Sequence, residues 1–246
     1  MPSPLEVLWQ TDVALAVNKP AGLPTQAPVG IESVESRLRE QLQRQQDYLV
    51  FPHRLDRCVS GVLLVALRKR AARLFSDQFA TRKTTKTYVA LVHGVVNLDE
   101  TWEDFVRKVD GRAAAEICRE GDPGAKWAVT EVWTVRSDPE RNRSFLRLKP
   151  VTGRMHQLRV QAAGRGMPIL GDVLYGAPDG APDGALDCAP SGVGVASDGP
   201  SPDDLAGGRG RGIALHAEQL AFHHPQTGKR LEVTAGCPFA SELPLN

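Results

Sequence analysis

The 246-residue chain lacks several features that would point to particular classes of protein. Its four cysteines, Cys58, Cys118, Cys188 and Cys237, are widely scattered and form no C-x-x-C pair, so neither a disulfide framework nor a zinc site is supported. No apolar run approaches the roughly 20 residues of a membrane span. The N-terminus shows no basic region followed by an apolar core, as a signal peptide would. We therefore expect free thiols and a cytoplasmic location.

A strong net charge is also missing, since the formal charge is only +1, which argues against a generally basic nucleic-acid binder. The charge is nevertheless uneven. Residues 50–90 carry nine Lys or Arg against two Asp or Glu, whereas residues 177–208 carry six Asp and no Lys or Arg. Some of the basic residues fall on a predicted helix, where they would form a solvated face: Arg68, Lys69, Arg70 and Arg73. We expect only some of the basic residues to contact phosphates.

The hydrophobic pattern predicts one catalytic domain in which strands outnumber helices. Hydrophobic residues make up 41% of the chain, enough for a sizeable core. Strands are predicted at 5–9, 13–17, 62–67, 85–92, 127–135, 145–150, 214–222 and 230–234. Helices are predicted at 33–46, at 70–80 and from near Arg154. Irregular crossovers between so many strands favour an α+β fold over a regular parallel α/β fold.

Residues 177–208 depart from globular sequence. They contain seven Gly and five Pro, with Ala-Pro-Asp-Gly repeated in tandem at 177–180 and 181–184. Such a segment is unlikely to form a packed element and predicts a flexible insertion. It could cover a cleft, but an insertion without a role is the favoured interpretation because exposed loops tolerate such changes.

The segment 51–61, FPHRLDRCVSG, places Asp56 between Arg54 and Arg57 in a loop bracketed by Pro52 and Gly61. An apolar run that predicts a buried strand follows at once. A carboxylate held beside fixed cations stays ionised and nucleophilic near neutral pH. Spacing alone leaves a structural salt bridge as an equal alternative, because short motifs often match by chance.

The same segment resembles the signature of the RluA-type RNA pseudouridine synthases, and further blocks continue the resemblance in order. These blocks are VNKPAGLP at 17–24, KTYVALVHG at 86–94, TGRMHQLRV at 152–160, PILGD at 168–172, YG at 175–176, LHA at 215–217 and FHHP at 222–225. They span about residues 13–238. The order of several independent motifs is far more specific than any one of them.

The resemblance implies a pseudouridine synthase fold: a mostly antiparallel sheet bent into two halves, flanked by helices around a central cleft. It also implies the isomerisation of one uridine in ribosomal or transfer RNA to pseudouridine, after the base is flipped out of the RNA. The reaction breaks the N1–C1′ bond, rotates the uracil and joins C5 to C1′. It needs no cofactor or metal, so the absence of a G-x-G-x-x-G motif or a P-loop is expected.

The family's site residues carry over by position. Asp56 would be the catalytic carboxylate, attacking the sugar or the base or removing a sugar proton. Arg159 would pair with it, although a helix-surface arginine is the alternative. Tyr88 would stack on the uracil, unless it is an ordinary core tyrosine, and Arg54 would help to extrude the nucleotide. Weaker candidates, for phosphate or loop-ordering contacts, are Arg57, Lys86, Arg154 and Gln157.

The chain departs from the family pattern at Cys58, Met155 and Gln161, none of which the chemistry requires. It begins almost directly at the catalytic blocks, so no separate N-terminal RNA-binding module is expected. A monomer is expected, with no protein partner and no membrane association.

Three other functions compete with this one. The His216-Ala217-Glu218 triplet resembles a zinc-deaminase motif but lacks the Pro-Cys-x-x-Cys partner. A glycoside hydrolase needs two cooperating carboxylates. The motifs supply Asp56, and the only other acid in them, Asp172, looks structural. A non-catalytic RNA-binding or ribosome-assembly factor on the same fold is the strongest alternative. The combination of Asp56, Tyr88 and Arg159 argues against it, since binding alone needs no buried nucleophile.

Overall fold

The computed structural model of the protein describes residues 3–43, 47–177 and 212–240. Within these ranges ten strands form one sheet in the order β1-β2-β3-β9-β4-β8-β7-β5-β6, and β10 pairs with β9. The strands are β1 (Glu6–Gln10), β2 (Ala14–Lys19), β3 (Ser60–Ala66), β4 (Thr85–His93), β5 (Asp99–Lys108), β6 (Ala115–Cys118), β7 (Lys126–Asp138), β8 (Arg143–Pro150), β9 (Leu215–His223) and β10 (Arg230–Thr234). The helices are α1 (Val34–Gln41), α2 (Lys69–Ala80) and α3 (Gln157–Gly164), with a 3-10 turn at Val173–Tyr175.

The sheet is almost entirely antiparallel. The exception is the pairing of β3 with β9, where only Ser60 with His216 and Gly61 with Ala217 lie side by side in parallel. This short seam joins β1-β2-β3 to the rest of the sheet, which fits the expected division into two parts. The predicted α+β class is confirmed, since the helices pack on the sheet rather than alternate with its strands.

Two hydrophobic layers cover the β2-β3 region of the sheet. Ala71, Ala72 and Phe75 of α2 pack with Leu64 and Phe222 on one side. Val34 and Leu38 of α1 belong to the larger cluster that includes Leu63 and Val65. Alternate residues of β3 therefore point into different clusters, as the two-residue period of a strand requires. Both faces of β3 are buried, which explains its continuous apolar sequence.

The third helix packs elsewhere, on the β5-β6-β7 region. Val160 of α3 meets Val106, Ala115 and Ala128 in a small separate cluster. This contact holds α3 against β5, β6 and β7.

Four elements differ from the sequence prediction. Strands β5 and β6 were not predicted, because β5 is rich in charge and buries only Trp102 and Val106 along its length. Helix α1 ends at Gln41 rather than Gln46, since Gln43 adopts a positive φ of 53° that a helix cannot continue through. Helix α3 begins at Gln157 rather than near Arg154, because His156 has a φ of 50°.

The predicted insertion at 177–208 lies outside the described residues, apart from Ala177. Over the three described ranges, no helix is both long and apolar enough to cross a membrane.

Candidate active site

The loop that carries Asp56 is fixed by the turn that follows β2. Thr25 Oγ1 donates to the carbonyl of Leu55 at 3.1 Å, and the carbonyl of Arg57 accepts from the backbone N–H of Gly22 at 2.8 Å. The carbonyls on both sides of Asp56 are therefore held by one turn. Because the backbone is bound on either side, the carboxylate projects from a defined position.

Lys19 adds a buried amino group to the same junction. Its Nζ donates to the carbonyl of Arg57 at 3.1 Å and to that of Pro20 at 2.9 Å, and the residue is 0% exposed. Burial lowers the pKa of Lys19 to about 7, and the nearby Cys58 and Asp56 oppose that shift. Lys19 thus links the Asp56 loop to the turn after β2 through its hydrogen bonds to Arg57 and Pro20.

Helix α3 brings Arg159 to the carboxylate. Arg159 is 4% exposed, so it is not a helix-surface residue. Its Nη1 lies 3.5 Å from Asp56 Oδ2, while its Nε and Nη2 bind Asp172 at 2.6 and 2.8 Å. Burial alone would lower the pKa of Arg159, but the hydrogen bonds and charge of Asp172 raise it above the ordinary value. Arg159 is a permanent cation beside Asp56.

Tyr88 reaches the site through an irregularity in β4. The register between β4 and β9 shifts between Thr87 and Val89, which places a bulge at Tyr88. Such bulges re-aim a side chain. The Tyr88 side chain lines the cleft, and burial together with the charge of Asp56 raises its pKa. Its hydroxyl therefore stays neutral at physiological pH, and its ring is available to a planar base.

The cleft has a volume of about 810 Å³, and all eight residues predicted for the site line it. The Asp56 side chain is 35% exposed to this cleft. Arg54 is exposed at the cleft wall, and Arg57 is exposed with its Nε donating to the carbonyl of Gly22 at 3.0 Å. A cleft of this size with one carboxylate and several basic side chains suits an anionic polymer with one base inserted.

The remaining candidates make hydrogen bonds that connect the 150–157 segment to β4 and β7. Lys86 Nζ donates to the carbonyl of Thr152 at 3.3 Å, and burial lowers the pKa of Lys86 to about 8. Arg154 Nε donates to the carbonyl of Trp127 at 2.9 Å. Gln157 is 4% exposed and donates to the carbonyl of Val129 at 3.0 Å. These contacts match the loop-ordering alternative, above all for the buried Gln157.

The sequence prediction gave no active-site role to three residues that lie around Asp56 in the fold. His156 Nε2 lies 3.6 Å from Asp56 Oδ2, and Asp172 forms the ion pair with Arg159. Lys19 was noted only as part of a turn. All three belong to the quoted motifs, but only the fold places their side chains around Asp56. A positive φ at His156, which costs of the order of 1–3 kcal/mol at most residues, is visible only in the backbone.

His53, in the same loop as Asp56, has a structural role. Its Nε2 accepts from the N–H of Leu64 at 3.0 Å, and its ring stacks on Phe79 with centroids 4.8 Å apart. Burial lowers the pKa of His53 to about 3, so the ring is neutral. It joins the loop to β3 and α2.

The basic side chains of α2 form a solvated face. Arg68, Lys69, Arg70 and Arg73 are exposed, and none of them lines the cleft. We expected only some of the basic residues to contact phosphates. The loop residues that line the cleft, such as Arg54 and Arg82, are the ones placed to do so.

The zinc-deaminase alternative fails on its histidine as well. His216 Nδ1 is bonded to Ser60 Oγ at 2.8 Å and its Nε2 to the carbonyl of Ala235 at 3.2 Å, so both ring nitrogens are occupied. Among the described residues, no group of three or more His, Cys, Asp or Glu side chains is arranged to hold a metal ion.

Comparison with known proteins points to one family. Residues 13–164 match the family model described as RNA pseudouridylate synthase. The chain is 34% identical to the dual-specificity RNA pseudouridine synthase RluA of Yersinia pestis over 227 residues, covering 90% of this chain and 94% of that one. It is also 34% identical to the protein of the same name from Escherichia coli K12, covering 96% and 94%.

Solved structures of RNA pseudouridylate synthase domains have the same fold. The structure of human RNA pseudouridylate synthase domain containing 1 superposes with a TM-score of 0.70 at 26% identity, covering 99% of this chain and 89% of that one. Human RNA pseudouridylate synthase domain containing 4 superposes with a TM-score of 0.67 at 24% identity, covering 95% and 88%.

Proposed function

Because the chain belongs to the RNA pseudouridylate synthase family, an isomerase family that converts uridine in RNA to pseudouridine, we propose that Asp56 is the carboxylate that performs this reaction here. The observation that carries the proposal is the position of Asp56. It is a partly exposed carboxylate at the wall of the cleft, with the permanent cation of Arg159 3.5 Å away. Loss of this one carboxylate should stop turnover without disturbing the fold.

Each neighbour of Asp56 has a part in the proposal. Arg159 orients the carboxylate and balances its charge after RNA has displaced water from the cleft. Tyr88 supplies a neutral aromatic ring on which the target uracil stacks, a contact worth about 1–3 kcal/mol per base in single-strand binders. Arg54, exposed at the cleft wall, fills the space that the flipped nucleotide leaves in the RNA.

The chemistry is balanced without an external reactant. The N1–C1′ bond breaks, the uracil rotates in the cleft, and a C5–C1′ bond forms; C5 then loses its proton while N1 gains one. Asp56 is the acidic side chain on the cleft wall that begins this sequence, by attack on sugar or base or by removal of a sugar proton. A single carboxylate is sufficient for any of these three routes.

The substrate is a specific uridine in ribosomal or transfer RNA. The bacterial relatives are named dual-specificity enzymes. Sequence-specific recognition of RNA relies on loops whose bases can splay out, so we propose an unpaired or loop uridine as the target. We propose further that the protein acts as a monomer of one catalytic domain in the cytoplasm, where such RNA is present.

The test compares the native protein with Asp56→Asn. Turnover is measured as tritium released from RNA labelled at uridine C5, since that proton leaves during the reaction. The amide is nearly isosteric, so folding and RNA affinity should stay close to native while tritium release stops. Asp77→Asn, on the exposed side of α2, is the matched control and should turn over normally.

A pseudouridine map of cellular RNA, made with the native gene and with the Asp56→Asn gene, identifies the target. Sites that vanish with the variant are the substrate uridines. Turnover by Asp56→Asn would contradict the assignment. A native protein that binds RNA yet releases no tritium from any of it would instead favour the non-catalytic RNA-binding role.

A further inference from the structure

Two donors approach the same oxygen of Asp56. Arg159 Nη1 lies 3.5 Å from Oδ2 and His156 Nε2 lies 3.6 Å from it. Within the described part of the chain, no group is hydrogen-bonded to Oδ1. These separations exceed a good hydrogen bond, but contacts at catalytic groups are commonly long before substrate binds and shorten in the complex. The arrangement leaves Oδ1 as the oxygen available to substrate.

The orientation of the His156 ring is set from behind by Tyr175. Tyr175 Oη accepts from the backbone N–H of Ala115 at 2.8 Å, and it lies 2.8 Å from His156 Nδ1. If Nδ1 carried the ring proton, the phenolic hydrogen would have no acceptor among the described residues, and the lone pair of Nε2 would face the Asp56 carboxylate. The hydroxyl therefore donates to Nδ1, and the single proton of a neutral imidazole is on Nε2, directed at Asp56.

The surroundings keep this imidazole neutral. Burial lowers the pKa of His156, and the Arg159 cation acts in the same direction, whereas Asp56 and Asp172 oppose it. The side chain is 11% exposed and lies between Asp56 and Tyr175. Tyr175 also lies under the Arg159 guanidinium, whose Cζ is 5.0 Å from the ring centroid. One aromatic residue therefore supports both groups that reach Oδ2.

We propose that His156 is a positioning residue for the isomerisation: held by Tyr175 with its proton on Nε2, it binds Oδ2 of Asp56 together with Arg159 and so directs Oδ1 at the substrate. The inference rests on the proposed role of Asp56. It assigns His156 no proton transfer to RNA. The hydrogen bond from Ala115 to Tyr175 also connects the site to β6. That strand contributes no side chain to the cleft wall.

Two substitutions of His156 separate its contacts. In His156→Asn the side chain keeps a polar group near the Nδ1 position but cannot reach Asp56, and Asn tolerates the positive φ found here. In His156→Gln the amide nitrogen extends to about the Nε2 position and can donate to Oδ2. The measurement is the rate of tritium release in a single turnover with enzyme in excess, beside the affinity for the same RNA.

We expect His156→Asn to slow the single turnover roughly 10- to 100-fold, the range typical of a misplaced reacting group, with RNA affinity unchanged. His156→Gln should recover most of that loss. Tyr175→Phe should slow native protein but should not slow His156→Asn further, because it acts through His156. A merely structural role for His156 would give similar losses for Asn and Gln, together with lower thermal stability.

Asp56→Asn is measured in parallel to keep the two proposals apart. If Asp56→Asn is inactive and His156→Asn turns over at the native rate, the positioning role is wrong and the role of Asp56 stands. If Asp56→Asn turns over, the proposed function itself is wrong. Equal rates for His156→Asn and His156→Gln, or independent losses for His156→Asn and Tyr175→Phe, also overturn the positioning role.

Discussion

Arg159 binds Asp172 more closely than it binds Asp56. Its Nε and Nη2 lie 2.6 and 2.8 Å from the two oxygens of Asp172, a side chain that is 1% exposed. Only Nη1 is directed at Asp56, at 3.5 Å. Asp172 therefore neutralises most of the buried cation, which leaves Asp56 a partly free carboxylate beside an arginine of fixed orientation.

Replacing Asp172 should harm both stability and activity, although Asp172 does not line the cleft. Removing one member of a buried ion pair leaves an uncompensated charge and costs about 3–5 kcal/mol. We expect Asp172→Asn to lower the free energy of unfolding by an amount at or somewhat below that range, because the amide can still accept one hydrogen bond. Turnover should fall as Arg159 shifts toward Asp56. Urea unfolding and tritium release measure the two effects.

Glu131→Gln provides the matched control. Glu131 pairs with Lys149 at 2.8 Å, but the two side chains are 44% and 39% exposed. Surface pairs of this kind contribute about 1 kcal/mol or less. If Asp172→Asn were no more destabilising than Glu131→Gln, the buried pair would not be what holds Arg159 in place.

The motifs predicted which residues meet at one cleft better than the hydrophobic pattern predicted the strands of the sheet around it. Asp56, Arg159 and Tyr88 belong to ordered motifs, and the fold brings them to one cleft. Strand β5 escaped prediction because its buried residues, Trp102 and Val106, share one face of the strand with the charged Asp104 between them, so the sequence shows no alternation of apolar and polar residues.

The supporting residues could not be predicted for a different reason. His156 reaches Asp56 only because its backbone adopts a positive φ directly before α3, and Asp172 reaches Arg159 across 13 positions of sequence. Lys19 is an ordinary lysine in the sequence and fully buried in the fold. Long-range packing decides such contacts, and neither local propensity nor short motifs encode them.

Gly61 should be the least replaceable glycine near the site. It has a φ of 117°, and a Cβ there would collide with the backbone of Ala217 in the neighbouring strand β9. Gly61→Ala therefore adds an overpacking cost of about 1–3 kcal/mol to the strain of the positive φ. We expect a loss of several kcal/mol in unfolding free energy, measured by urea denaturation.

Gly94→Ala separates the two costs. Gly94 has a φ of 97°, but nothing lies within 4 Å of the position that a Cβ would take. Gly94→Ala should therefore lower the unfolding free energy only by the cost of the positive φ, about 1–2 kcal/mol. Equal losses at the two positions would mean that β3 and β9 can move apart, so the seam beside the Asp56 loop would not be rigid.

Tyr88 is expected to act through its ring rather than its hydroxyl. Burial and the charge of Asp56 raise its pKa, so the hydroxyl carries no charge, and no residue in the described ranges is hydrogen-bonded to it. Tyr88→Phe should keep the stacking surface and most of the turnover. Tyr88→Ala should weaken the complex or the reaction by about 1–3 kcal/mol, the value of one stacked base. Equal losses in single-turnover assays would assign the role to the hydroxyl.

Lys19 should make stability depend on pH in the alkaline range. Burial lowers its pKa to about 7 in the folded protein from the ordinary 10.5. Between these values the unfolded chain binds the proton and the folded protein does not, so the contribution of Lys19 to stability rises with pH, by about 1.4 kcal/mol per unit at most. Below about pH 7 both states are protonated and the contribution is constant.

The comparison of native protein with Lys19→Met isolates this effect, because the other titrating groups are common to both. Methionine has a similar length and does not titrate, but it cannot donate to the carbonyls of Pro20 and Arg57, so the variant should be less stable than native protein in the alkaline range, where the native lysine is neutral. Its deficit should widen from pH 7 to pH 10 in urea unfolding. Lys69→Met, which removes an exposed lysine of α2, controls for the change in net charge. A deficit of constant size over that interval would mean that Lys19 keeps its proton when buried, stabilised by the two carbonyls and by Asp56. The group that binds the Asp56 loop would then be a charged rather than a neutral amine.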